Sequence, residues 1–334
     1  MVFPNQASKD PTLVPDNHQH YVPQFLLKIF TTATRNRQIW VFDKHDEKQF
    51  KTSVRNVANQ QGFYDYVIDG ARQSLDPALQ RLETAVAEDI RSLVQHRVLP
   101  SNIETRTRLA VFVSVQNLRT DAARQQYRHL GESLRQAIEH RGGPGAAAFM
   151  PYSTPEESYA QAIKMIPSLS RSAASHILQK SWILYSTTSR HPFYISDNPV
   201  TLDNTLNQHE LKGTLGLAVP GIEIYLPVSD TLCMGFLCPT IEAKLRDSLA
   251  RAEALGVPAP GLDLCHLRSF ANAFNGHGEH VIDPQNVLHH NSLQVVNAGR
   301  YVFSRTQNFR LVSEIVTAQP EMKTGPRFNI NWKG

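Results

Sequence analysis

Cysteine is scarce in this chain: Cys233, Cys238 and Cys265 are the only three among 334 residues, and they form no CxxC pair. An odd set of thiols excludes a disulfide scaffold and reads as a chain from a reducing compartment. Long apolar runs are missing as well, since no stretch approaches the roughly 20 residues that span a bilayer. The opening MVFPNQASKDPTLVPDNHQ lacks a basic start followed by an apolar block, so no secretory signal is read there. The expectation is a soluble cytoplasmic protein with no membrane partner. Charge is nearly balanced, 34 Lys+Arg against 30 Asp+Glu, too small an excess to argue nucleic-acid binding by itself. There is no GxxxxGK[ST] loop, no GxGxxG after a strand, no GxSxG elbow and no HExxH. P-loop nucleotide hydrolases, Rossmann dehydrogenases, ordinary α/β-hydrolases and zinc hydrolases are thereby set aside.

What is present supports a large core. With 41% hydrophobic residues, 17 Gly and 20 Pro, the chain is neither collagen-like nor disordered, and its length suits about two domains. Pro23 opens the short apolar helix QFLLKIF, where its missing N–H does no harm. QIWVF and QFKTS flank DKHDEK as a β-hairpin, and VRNVANQQGFYDY follows as a compact loop or helical turn. Asp76-Pro77 reads as an N-cap followed by proline at the first helical position, with Leu79, Leu82, Val86, Ile90 and Leu93 recurring at helical spacing. A longer helix is expected from about Asn102 to His140, with AVFVSV taken as helical because the pattern on both sides is. RGGPGAAA cannot continue a helix and marks a linker. Residues 155–187 read as helical through SWILYSTT.

Beyond them HPFYISDNPVTL, GIEIYLPV and LCMGFLC are strand-like, the last two joined by a turn at Ser229-Asp230-Thr231. TIEAKLRDSLARAEALG and LDLCHLRSFANAFN are helical, with Gly256 stopping the first. Asp283-Pro284 opens a helix to about Asn297, and Gly299 closes it before the strand RYVFS. The resulting division is a 1–19 flexible arm, a 20–140 helical part with a β-hairpin, a 141–150 linker, a 151–310 mixed part packed on the first, and a 311–334 tail. The fold class is α+β, a helix-dominated N-terminal half followed by a mixed strand and helix C-terminal half, without the alternation of a doubly wound sheet.

Three local patterns carry chemistry. His20 and Tyr21 precede a helix start, where exposed N–H groups suit an anion; equally, Tyr21 and Phe25 anchor the chain and His20 caps the helix. Gln116 and Arg119 interrupt an apolar stripe shared with positions 112 and 123. An unpaired buried guanidinium costs several kcal/mol, so Arg119 needs either a protein carboxylate or a ligand anion. Ser196-Asp197-Asn198-Pro199 locks two polar side chains at a strand end, a place for a general base or metal ligand and also an ordinary turn. Three histidine groups, His18 with His20, His277 with His280, and His289-His290, match no zinc spacing. Mg²⁺ remains open at Asp197, because it needs only one or two carboxylates. Between Arg91 and Arg141 the chain has nine Arg, no Lys and four acids, a set of flat cationic forks for phosphate or a solvated face of paired charges.

In order along the chain, HYVPQFLLKIF, IWVFDK, NVANQQGFY, RLAVFVSVQNLRT, WILYSTTSRHPFYISDNPV, IYLPVS and NSLQVVNAGRYVFS resemble the bacterial family known as domain of unknown function 4238, from about residue 18 to 305. HYVP, QNLRT and SDNPV are the strongest segments, and PVS at 227–229 departs from the usual proline-leucine-serine. The resemblance implies no reaction. It implies that His20, Gln116, Arg119, Asp197, Asn198 and Asn291 lie in signature segments, and polar residues so placed are expected to meet.

Three functions follow as expectations. The first is a hydrolase or phosphodiesterase acting on nucleic acid or a nucleotide. His20 is then general acid or base, Asp197 base or Mg²⁺ ligand, and Tyr21, Gln116, Arg119, Asn198 and Asn291 hold the substrate. The alternative is a non-catalytic recognition module that binds a small anion or a partner protein through the same cleft. The third is architectural, with Arg119 paired internally to Asp197.

Overall fold

A computed structural model describes residues 18–32, 37–148, 154–206, 215–254, 264–276 and 278–325. The first part of the chain runs β1 (His18–His20), α1 (Gln24–Ile29), β2 (Gln38–Asp43), β3 (Lys48–Ser53), β4 (Asn59–Gln61), β5 (Asp65–Ile68), β6 (Ala71–Ser74), α2 (Asp76–His96), α3 (Ile103–Leu118), α4 (Asp121–Gly142) and α5 (Pro155–Leu178). The second part runs β7 (Ser181–Ser186), β8 (Ile195–Ser196), β9 (Thr201–Asp203), β10 (Glu223–Ser229), β11 (Leu232–Leu237), α6 (Pro239–Ala254), α7 (Leu264–Ala273), β12 (His280–Val281), α8 (Pro284–Asn297), β13 (Tyr301–Ser304) and α9 (Arg310–Ala318). The class is α+β. Among the described residues no helix is long and apolar enough to cross a membrane.

The centre is a five-stranded sheet in the order β12-β7-β11-β10-β9. Every residue of β7, β10 and β11 is buried, as expected where both faces of a sheet are covered. Trp182 and Leu184 face the larger core shared with α1, α2, α3 and α5, while Ile183 and Tyr185 face a second cluster with Phe274 and Val287. Gly235 makes room for that arrangement: a Cβ there would stand 2.7 Å from the Tyr185 ring and 2.8 Å from the Ile183 side chain. A four-stranded sheet, β3-β2-β13-β8, carries the two ends of the family segments into register, with Val302 paired both to Phe42 and to Ser196. The α2 face of Leu79, Leu82, Val86, Ile90 and Leu93 is buried. Such side chains contribute about 1.5–3 kcal/mol each on burial, more than any surface ion pair supplies.

Several local expectations are met. Pro23 is the N-cap of α1, β2 and β3 form the hairpin, AVFVSV is helical, and Asp283 caps α8 through Asn286 N. Others are corrected. The helix expected from 102 to 140 is two helices, because Thr120 leaves the helical region (φ −79°, ψ 161°) and caps α4 by accepting the Ala123 N–H. SWILYS is strand β7 of the five-stranded sheet, its aromatic and β-branched side chains buried on both faces. Asp76 lies inside α2 rather than capping it, since Leu75 takes the cap position. The compact loop or helical turn expected after β3 does open with a helical turn at Val54–Asn56, but then holds the short strand β4, paired with β1, and leads into the β5–β6 hairpin. Helix α9 falls in the segment read as a tail. Residues 1–17 of the arm, residues 149 and 150 of the linker and Gly256 lie outside the described residues.

Candidate functional site

The break between α3 and α4 is where the polar signature residues converge. Arg119, 1% exposed, donates from Nη2 to the His20 carbonyl at 2.6 Å and from Nε to the Tyr64 hydroxyl at 3.0 Å. The Tyr64 hydroxyl in turn donates to the Arg119 carbonyl at 3.1 Å. The acid that neutralises the guanidinium is Glu83 of α2, at 2.7 Å, and not Asp197. One turn earlier, Gln116 donates to the Tyr21 carbonyl at 2.8 Å. Gln116 and Arg119 therefore hold the backbone of His20-Tyr21 from beneath. Burial, aided by the Arg119 charge, lowers the His20 pKa, and the Val54 and Arg55 carbonyls oppose that shift. Burial raises the Tyr21 hydroxyl far out of the physiological range, with the Asp197 and Asp121 charges adding to it.

The next residue, Thr120, joins this cluster to the second one. Its hydroxyl donates to Asn198 Oδ1 at 2.8 Å. Asn198 donates from Nδ2 to the Asn297 carbonyl at 3.1 Å, and Asn297 returns a bond to the Asn198 carbonyl at 2.9 Å. Asp197 is 5% exposed and sits in a cradle of three backbone donors. Oδ1 accepts from Gly299 N at 2.7 Å, and Oδ2 accepts from Arg300 N at 2.7 Å and Tyr301 N at 2.9 Å. Burial pushes its carboxyl up to about 6 against the pull of these donors and of the buried Lys44 amine. That amine donates to the Val295, Ala298 and Met322 carbonyls at 2.6–2.8 Å, where a cation suits the end of α8. Asn291 stands apart, accepting from Tyr194 N at 2.8 Å and donating to the Pro192 carbonyl at 3.0 Å.

His20, Tyr21, Gln116 and Arg119 thus form one cluster, Asp197 and Asn198 an adjoining one, and Asn291 a third place. A magnesium ion does not fit Asp197, whose oxygens already face three N–H dipoles that would repel it. No group of three or more His, Cys, Asp or Glu among the described residues is arranged to hold a metal. Glu83 escaped the sequence reading although a signal exists: it is an acid four residues after Leu79 on the buried face of α2. Thr120 and Asn297 had weaker signals, since each acts only through a partner far along the chain.

Beside the break opens a cavity of about 550 Å³. Helix α4 lines it with Ala123, Gln126, Tyr127 and Leu130, and α5 with Ala162, Met165, Ile166 and Leu169; both sets follow the i, i+3, i+4, i+7 spacing of one helical face. Leu202, Leu215 and Leu217 close the wall, and Asn117, Asn198 and Asn297 place amides on it. Among the described residues no Lys, Arg, His, Asp or Glu lines it. Leu130, Leu169 and Leu215 stay 43%, 41% and 61% exposed, so the apolar faces of two facing helices remain wet.

The model of a family described as "Protein of unknown function (DUF4238)" matches residues 18–308. No curated protein and no solved structure matches the chain.

Proposed function

Since the chain belongs to this family over most of its length, and the family is described only as of unknown function, we propose from the site itself that the protein is a non-catalytic recognition module. Its ligand is a small, neutral, largely aliphatic molecule with one hydrogen-bonding end, held in the cavity between α4 and α5. The observation that carries this reading is the lining: ten aliphatic side chains, neutral amides and a tyrosine, and no ionised group among the described residues. Removing wet leucine surface from water drives binding, and the amides fix orientation. An anion would leave its charge without a counter-ion there, which burial penalises. Hydrolysis needs a proton-transfer group and a charge stabiliser turned to one reacting atom. His20 and Asp197 are not on the cavity wall, and both Asp197 oxygens are engaged by backbone N–H groups.

The test is the thermal midpoint with decanol, decanamide and decanoate as probes. The neutral pair is expected to raise it by several degrees, since a ligand at 100 times its Kd adds about 2.7 kcal/mol. Ala162→Trp, which places an indole between the two facing helices and obstructs the cavity, is expected to remove the shift. Stabilisation by decanoate alone, or none by any probe, overturns the proposal. Cleavage of RNA, DNA or a nucleotide, with or without Mg²⁺, that vanishes in both His20→Ala and Asp197→Ala with folding intact would restore the phosphodiesterase reading.

A further inference from the structure

A second hollow, sharing no residue with the cavity above, lies where α1 meets α2 and the start of β2. Its wider part, about 510 Å³, is rimmed by Lys28, Arg37 and Arg91. It continues into a narrower part of about 210 Å³ floored by Phe25, Ile29, Ala87 and Val94. Phe25, Ile29 and Arg91 border both parts, so cations and an aromatic floor form one continuous notch.

The cations are poorly compensated. Neither Lys28 nor Arg37 has an acidic partner among the described residues. Burial lowers the Lys28 amine, and the charges of Arg37 and Arg55 lower it further, the signature of like charges crowded together. Arg91 does pair with Glu88, one turn away on α2, but both side chains are mostly exposed, at 66% and 72%. A pair in that setting is weak and exchangeable. The nearby hydroxyls are committed elsewhere: Thr31 donates to the Lys28 carbonyl at 2.8 Å and Thr32 to the Gln38 carbonyl at 3.4 Å. Whatever binds is therefore held by charge at one end and by apolar contact at the other.

We propose that this notch is a nucleotide site, with the phosphates on Lys28, Arg37 and Arg91 and the base against Phe25. Arginine forks and a lysine point charge are the usual phosphate donors. A half-buried aromatic ring beside them offers the flat face on which a base stacks, and the neighbouring cations favour that contact. Inorganic phosphate would satisfy the cations and leave the Phe25 floor wet; an uncharged nucleoside would do the reverse. The site stands independently of the aliphatic cavity.

Isothermal titration of the full chain at low salt tests it, with ADP, inorganic pyrophosphate, adenosine and a 12-residue oligoadenylate as probes. ADP is expected to bind at least on the order of tenfold more tightly than pyrophosphate or adenosine, and to weaken as salt rises. Lys28→Gln with Arg37→Gln is expected to weaken ADP roughly tenfold or more, with the circular-dichroism spectrum unchanged. Phe25→Leu should weaken ADP and leave pyrophosphate alone. Ala162→Trp should leave ADP binding intact, which separates failure here from failure of the aliphatic cavity. The proposal is overturned by undetectable ADP binding, by equal affinity for pyrophosphate, by ADP binding that survives the double substitution or disappears in Ala162→Trp, or by oligoadenylate binding far tighter than ADP, which would make the surface a polynucleotide contact.

Discussion

The buried guanidinium at the helix break gives the sharpest prediction. Replacing Arg119 by Met keeps the volume and removes the charge. The Glu83 carboxylate and the His20 carbonyl then lose a partner each, and the Tyr64 hydroxyl loses a donor. A buried carbonyl left unpaired costs about 1–3 kcal/mol, and removing one member of a buried ion pair typically costs about 3–5 kcal/mol in all. The Glu83 side chain is 21% exposed and recovers some hydration, so the lower half of that range, about 3–4 kcal/mol, is expected. Glu83→Gln strands a guanidinium that is nearly inaccessible to water and should cost about as much. The double substitution removes both charges together and should cost less than the sum, by about 1–3 kcal/mol. The same cycle between Arg119→Met and Asp197→Asn should be additive within about 0.5 kcal/mol, because Asp197 is satisfied by backbone N–H groups. Urea unfolding at pH 7 reads all of these. Whole-protein stability is typically only about 5–15 kcal/mol, so Arg119→Lys, which keeps the charge without the fork, provides a milder arm if the Met variant fails to fold. Strong coupling to Asp197 with none to Glu83 would refute the reasoning.

Two further outcomes follow from the same junction. Thr120→Ala removes both the N-cap of α4 and the bond to Asn198 and should cost about 1–2 kcal/mol in urea unfolding, with Thr120→Ser restoring most of it; no loss in the Ala variant would mean that the break is held by packing alone. Asp197 has a folded pKa of about 6, above its unfolded value of about 3.9. Unfolded chains ionise first as pH rises, so this group's contribution falls by about 3 kcal/mol between pH 4 and pH 6 and is flat above. The stability gap between wild type and Asp197→Asn should therefore narrow across that window. A gap that widens with pH would mean that the three N–H donors outweigh burial and keep the carboxylate ionised.

The fold was most legible where local chemistry and burial agree. Asp283-Pro284 starts α8 on its own signals, and the apolar, strand-like runs GIEIYLPV and LCMGFLC on either side of a tight Asp230-Thr231 turn need no distant partner to be read as a hairpin. It was least legible where a tertiary contact, and not a local signal, decides. Thr120 sits in a string whose period continues on both sides, and what turns it into a cap is its bond to Asn198, 78 residues away. SWILYS follows a long helix with no Gly or Pro between them, and only its position between β11 and β12 makes it a strand. For the site, the need of Arg119 for an acid was readable from the apolar stripe, while the identity of that acid was not, because Asp197 carried the more conspicuous motif. Glu83 looked like one of many helix-surface acids. Five of the six polar positions fall in two adjoining clusters, with Asn291 apart, and they are held largely through main chain: carbonyls of His20, Tyr21 and Asn297 and N–H groups of residues 299–301 supply most of the partners. Main-chain partners carry no residue signature.

The junction and the cavity are one construction. A helix continuing from α3 through residue 142 would carry positions 112, 116, 119 and 123 along one stripe into the core. The turn at Arg119-Thr120 redirects α4, so that Ala123, Gln126, Tyr127 and Leu130 face Ala162, Met165, Ile166 and Leu169 of α5 across open space. The side chains that enforce the turn are also among its walls: Asn198 and Asn297, tied to each other and to Thr120, are the amides at the cavity's polar end. A carboxylate or guanidinium in their place would have put a charge on an apolar wall, and the ions of this region are instead drawn away, Arg119 to Glu83 and Asp197 to the start of β13. Pairing Arg119 with Glu83 and cradling Asp197 in backbone N–H groups keeps both ions off the cavity wall and leaves a neutral lining beside them. That separation is why the proposed recognition falls to the amides and leucines rather than to the charged signature residues.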